Sequence, residues 1–165
     1  TFSFEEWNWM DDRLIHEVRQ EASRKINREI ELDIMGTDID ARMVEIAKEN
    51  AQKAGVASDI TFKQMRVQDL RSDKINGVII SNPPYGERLS DDAGVTKLYA
   101  EMGEVFEPLK TWSKFILTSD EDFEKKFGRQ ADKKRKLYNG TLKVDLYQFF
   151  GERVRRQATS EKGNI

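Results

Sequence analysis

Apolar positions along the chain recur with two periods. Leu14, Ile15, Val18, Ala22 and Ile26 share one face of a helix that Asp11 or Asp12 can cap. Leu32 to Asp38 alternates as a short strand until Gly36, and Asp40 caps a second helix, Ala41 to Lys53. That helix turns Met43, Ile46, Ala47 and Ala54 inward and ends with Gly55 at the C′ position. Ile60 to Met65 alternates as a strand and leads to Val67-Gln68-Asp69-Leu70. Asn76-Gly77 turns the chain into an apolar strand, Val78 to Ser81, and a polar loop runs from Gly86 to Gly94. Leu98, Tyr99, Met102, Val105, Phe106 and Leu109 mark an amphipathic helix over Val95 to Trp112. A buried strand, Lys114 to Ser119, and a short helix, Asp120 to Phe127, follow. Lys134 to Tyr138 and Leu142 to Phe150 flank Asn139-Gly140, the signature of a type I′ hairpin. The aromatic-rich start reads as a packed loop burying Phe4, Trp7 and Trp9, and the polar tail from Arg153 as frayed.

Strands alternating with helices imply an α/β fold with a mostly parallel sheet covered on both faces; the closing hairpin adds an antiparallel strand. Residues 1–165 read as one domain, without repeats, linkers or low-complexity segments. Charged residues make up 35% of the chain at a net charge of −2, so overall charge does not announce a nucleic-acid binder. The basic clusters Lys133 to Lys136 and Arg153 to Arg156, near Tyr138 and Tyr147, read as a solvated face. No apolar run approaches membrane-spanning length. The absence of cysteine excludes thiolate chemistry and fits a reducing cytoplasm. His16 is the only histidine, so no histidine-based metal site or triad is expected.

In open α/β sheets ligands bind beyond the carboxyl ends of the strands, and Asp38, Asp69 and Asn82 lie at such ends. A carboxylate at Asp38 suits the vicinal hydroxyls of a ribose, and Asp69 suits an adenine amine. Caps and turns compete for both aspartates. The sharper signal is Asn82-Pro83-Pro84-Tyr85, entered directly from Val78-Ile79-Ile80. Both prolines have a fixed φ and no N–H, and the residue before each is pushed to extended geometry. The stretch therefore holds the Asn82 amide and the Pro83 carbonyl rigidly at a strand end. Two acceptors gripping the two N–H bonds of an aromatic amine turn its lone pair outward and stabilise the positive charge that develops as a methyl group arrives. Tyr85 offers a stacking face for a base taken out of its helix. A rigid turn is the competing reading.

At these residues the chain resembles the S-adenosylmethionine-dependent methyltransferases that modify the exocyclic N2 of a guanine in large-subunit ribosomal RNA. These are often filed as N6-adenine-specific DNA methylases and usually carry an N-terminal THUMP domain. The matching residues are Phe2 to Trp7, Gly36-Thr37-Asp38-Ile39-Asp40, Val67-Gln68-Asp69, and Asn82 to Leu89. The extension Gly86-Glu87-Arg88-Leu89 points from amino-methyltransferases in general to the ribosomal guanine enzymes. The resemblance implies a Rossmann-like class I methyltransferase fold in a cytoplasmic enzyme. It implies S-adenosylmethionine held by Asp38, Ile39, Asp69 and Asn82, and catalysis by Asn82, Pro83, Pro84 and Tyr85, with ribosomal RNA as partner and no metal. Adenine N6 methylation of DNA or RNA, and a non-catalytic nucleic-acid-binding module, are the alternatives.

One departure follows from the same resemblance. The family's first strand ends in a glycine-rich loop around the methionine part of the cofactor, and no Gly-x-Gly occurs here. The chain is expected to begin one β-α unit late, as an N-terminally truncated catalytic domain. In the family's strand order, 3-2-1-4-5-7-6, the strand ending at Asp38 and the strand ending at Asn82 would flank a vacant position. The isolated 165-residue chain is expected to be inactive and to bind S-adenosylmethionine weakly or not at all; titration calorimetry showing tight binding by the monomeric chain would refute this.

Overall fold

A computed structural model describes residues 2–27, 29–85 and 92–153. The extension Gly86 to Leu89 and nearly all of the tail from Arg153 lie outside the described residues. The chain forms two compact units, residues 1–63 and 64–165.

The first unit holds a 3-10 turn (Ser3–Glu6), helix α1 (Asp12–Arg24), strand β1 (Ile34–Asp38), helix α2 (Ala41–Lys53) and strand β2 (Ile60–Gln64). Both helices start where the sequence caps them: the Asp11 carboxylate accepts the Arg13 N–H, and the Asp40 carboxylate accepts the Arg42 N–H at 2.9 Å. β1 and β2 form a two-stranded sheet. Gly36 is required there, because a Cβ at that position would sit 2.8 Å from the Phe62 ring.

The expected burial in this unit is not found. Val44 and Ala51 are the buried residues of α2, whereas Met43 and Ile46 are exposed and Ala54 is too. The opening aromatics do not bury area either: Trp7 and Trp9 are 51% and 73% exposed. They instead contact one another in sequence, Phe2 stacked on Phe4 at 5.6 Å between centroids and Trp7 tilted against Trp9 at 5.2 Å. Within the unit, a two-stranded sheet is too narrow to cover the apolar faces of α1 and α2.

The second unit holds a 3-10 turn (Val67–Asp69), β3 (Val78–Ser81), α3 (Asp92–Phe106), β4 (Ser113–Thr118), α4 (Phe123–Phe127), β5 (Lys133–Asn139) and β6 (Leu142–Phe149). Its sheet has the order β3-β4-β6-β5, with β3 and β4 parallel and β4-β6 and β6-β5 antiparallel. Among the described residues no strand pairing links this sheet to β1-β2. α3 ends at Phe106, short of the expected Trp112, because Pro108 drives the residue before it out of helical geometry. The hairpin loop is Gly140-Thr141, since Asn139 pairs with Leu142, and only Gly140 has positive φ. That is the type II′ pattern rather than the expected type I′.

The core lies between this sheet and the helices α3 and α4. Alternation along β4 points Lys114, Ile116 and Thr118 to the buried face, where the Lys114 amine donates to the Leu109 carbonyl at 2.6 Å. Phe123 is fully buried and packs on Tyr99, Phe127 and Tyr147 at 4.9, 5.0 and 4.7 Å between centroids. Gly103 brings α3 onto the end of α4: a Cβ there would lie 2.1 Å from the Phe127 carbonyl oxygen. Helix propensity alone makes Gly103→Ala stabilising by about 1 kcal/mol. The backbone clash reverses the sign, and denaturant unfolding of the protein should show a net loss of about 1–3 kcal/mol; a gain in stability would contradict the packing of α3 on α4.

Candidate active site

Asn82, Pro83, Pro84 and Tyr85 follow β3 directly, at the carboxyl end of a strand whose parallel neighbour β4 ends at Thr118. β3 is apolar on both faces. Ile79 packs against the core, and Val78 and Ile80 are exposed, Ile80 at 81%. Beyond it Pro83 is buried and Asn82 is exposed, and the Asn82 amide makes no hydrogen bond to another described residue. Tyr85 is 7% exposed, which leaves little of its ring in reach of solvent.

Two consecutive prolines leave positions 83 and 84 without a backbone donor, and the stretch is held from outside through a carbonyl. The Tyr99 hydroxyl on α3 donates to the Pro84 carbonyl at 3.3 Å and shares a 2.9 Å hydrogen bond with Thr118 Oγ1 at the end of β4. Thr118 Oγ1 in turn accepts the Asp120 N–H at 3.1 Å. An amide N–H only donates and a carbonyl only accepts, so the direction of the whole chain is fixed. Asp120 N–H donates to Thr118, Thr118 O–H to Tyr99, and Tyr99 O–H to Pro84. Burial pushes the Tyr99 phenol above its ordinary pKa, which keeps it a donor.

Asp120 is itself fixed by three further contacts. Its carbonyl accepts from the Tyr147 hydroxyl at 3.1 Å, and its carboxylate accepts from the Asp122 N–H at 2.9 Å and from Lys126 at 2.7 Å. Asp69 is exposed and ends its 3-10 turn, with its own N–H donating to the Arg66 carbonyl at 3.0 Å. The preceding residue, Gln68, donates to Glu101 of α3 at 2.5 Å. Helix α3 thus anchors both the Asp69 turn, through Glu101, and the proline stretch, through Tyr99.

Asp38 and Ile39 belong to the first unit, where both are exposed. Asp38 Oδ1 accepts the Asp40 N–H at 2.8 Å, so Asp38 shapes the turn into α2, and Asp40 is the cap. His16 is exposed and bonded to Gln20. Among the described residues no group of carboxylates and histidine is placed to hold a metal ion, and no helix is long and apolar enough to cross a membrane.

Sequence reading missed Tyr99, Thr118 and Asp120. Tyr99 sits in an otherwise apolar helical stripe, and a tyrosine in such a stripe needs a partner for its hydroxyl; that was the available signal.

A family model described as "RMKL-like, methyltransferase domain" matches residues 3–148. YpsC of Bacillus subtilis, named as an RNA methyltransferase, is 49% identical over 96% of this chain, which spans 41% of YpsC. The ribosomal RNA large subunit methyltransferase K/L of Shewanella amazonensis is 35% identical over 99% of this chain, which spans 25% of that protein. The crystal structure of SMU.472 complexed with SAH superposes with a TM-score of 0.84 at 63% identity, over 94% of this chain and 41% of that one. The chain therefore spans less than half the length of these relatives and has the Rossmann-like α/β fold of class I methyltransferases.

Proposed function

We infer the function from one premise: the chain belongs to the UPF0020 family of RMKL-like methyltransferase domains. Residues 1–165 serve in the catalytic domain of an enzyme that methylates the exocyclic N2 amine of a guanine in large-subunit ribosomal RNA. The observation that carries this reading is the strand β3 running straight into a doubly proline-locked end with an exposed Asn82. The name of the K/L relative supports the ribosomal target, and the SAH held by SMU.472 supports the methyl donor.

Each candidate residue, taken by itself, is of a type that suits such a donor. Asp38 is an exposed carboxylate at a strand end and suits the ribose hydroxyls; the exposed Ile39 beside it offers an apolar surface for adenine, and Asp69 an acceptor for the adenine amine. S-adenosylmethionine, when bound, supplies a methyl group on a positively charged sulfur. Asn82 Oδ1 and the Pro83 carbonyl accept the two N–H bonds of the target amine, which orients its lone pair and stabilises the charge that develops on nitrogen. Fixed φ angles at Pro83 and Pro84 keep both acceptors in place without reorganisation. Tyr85, expected to offer a stacking face for the extruded base, is buried and can do so only if its side chain turns outward. Taken alone, without a Gly-x-Gly loop, the 165-residue chain is inactive on this reading.

Mass mapping of ribosomal RNA from cells with and without the full-length protein tests the reading. One N2-methylguanine should disappear; loss of an N6-methyladenine instead would transfer the reading to adenine, and an unchanged map would favour a non-catalytic RNA-binding module. In the full-length protein Asn82→Ala should abolish methyl transfer with cofactor affinity retained, and near-normal turnover would remove Asn82 from catalysis. Asp38→Ala should chiefly weaken cofactor binding, and an unchanged dissociation constant would leave Asp38 only its turn into α2.

A further inference from the structure

We propose that Tyr99 and Thr118 form a positioning relay for methyl transfer, a directed chain of hydroxyls that fixes the Pro84 carbonyl and through it the two amine acceptors at Asn82 and Pro83. The inference rests on the role proposed above for those acceptors.

The geometry is specific. Tyr99 and Thr118 are both fully buried, and their hydroxyls meet at 2.9 Å where β4 ends. Each donates once and accepts once, from the Asp120 N–H inward to the Pro84 carbonyl. Hydrogen bonds arranged head to tail polarise one another in a dry environment, which strengthens a last link that is long at 3.3 Å. A single carbonyl suffices as the handle. With φ fixed at Pro83 and Pro84, few torsions separate the Pro84 carbonyl from the Pro83 carbonyl, and rotation about them is all that the relay must stop. The far end is equally fixed, because Asp120 is bonded through both its carbonyl and its carboxylate. Neither hydroxyl reaches the reacting atoms. Both act through the proline stretch.

Steady-state kinetics on the full-length protein, with its ribosomal RNA substrate, test this. Tyr99→Phe removes one oxygen and keeps the ring in its packing with Phe123. It should lower kcat by about ten- to a hundredfold, the scale expected for a misplaced reactive group, while the dissociation constant for S-adenosylmethionine and the Tm stay near wild type. Thr118→Val should give the same split, Thr118→Ser should recover most of the turnover lost in Thr118→Val, and the Tyr99→Phe/Thr118→Val pair should be no worse than either alone. Additive losses, or a loss carried by cofactor affinity or by Tm, would overturn the relay. Asn82→Ala run in parallel separates the two levels of inference. If Asn82→Ala is inactive and Tyr99→Phe turns over normally, the relay alone is wrong. If Asn82→Ala turns over normally, the acceptor role falls and the relay falls with it.

Discussion

Two adjacent prolines impose the constraint on which the rest of the site depends. Pro83 and Pro84 cannot donate a hydrogen bond, so the stretch after β3 cannot be stitched to a neighbouring strand as ordinary backbone is. Rigidity in φ is gained, and the usual means of attachment is lost. What remains is a carbonyl, and the fold supplies a donor for it from inside the core. A tyrosine suits that task better than a serine or threonine. Its ring is long enough to start within the aromatic cluster around Phe123 and to end at the sheet's upper rim.

The same cluster connects the site to stability. Phe123 touches Tyr99 on α3 and Tyr147 on β6, and these two phenols then bond to Pro84 and to the Asp120 carbonyl. The rings that bury apolar area are therefore also the stems of the polar contacts that shape the loops above them. Lys134 extends this outward, lying 4.8 Å from the Tyr147 ring centroid with its amine 3.3 Å from the phenol oxygen. The other basic side chains of β5, Lys133, Arg135 and Lys136, are exposed as a solvated face requires.

Local chemistry was legible in the sequence, and long-range pairing was not. Asp11 and Asp40 cap the helices that their positions announce, and β3 ends where Asn82 begins. Candidate site residues could be named because strand ends and prolines are written in consecutive letters. Burial in the first unit misled for a physical reason. Periodicity shows which face of α2 is apolar, but whether anything covers Met43 and Ile46 depends on partners that periodicity does not encode. The hairpin type failed by one residue, because a two-residue loop is defined by which residues pair, and Asn139 pairs. The contacts joining residues 84, 99, 118 and 120 are invisible to any local pattern, since they depend on how α3 lies over β4.

Gly103 bears on that last placement. With no side chain there, α3 rests its backbone against the Phe127 carbonyl, and Tyr99 projects from the same face one turn earlier. A helix seated on backbone has a fixed height, unlike one seated on deformable side chains. The hydrogen bond from Tyr99 to Pro84 is 3.3 Å long, near the outer limit for such bonds, and has little slack. Gly103 thus acts as a mechanical stop: it sets the tolerance to which the distant strand end can be machined.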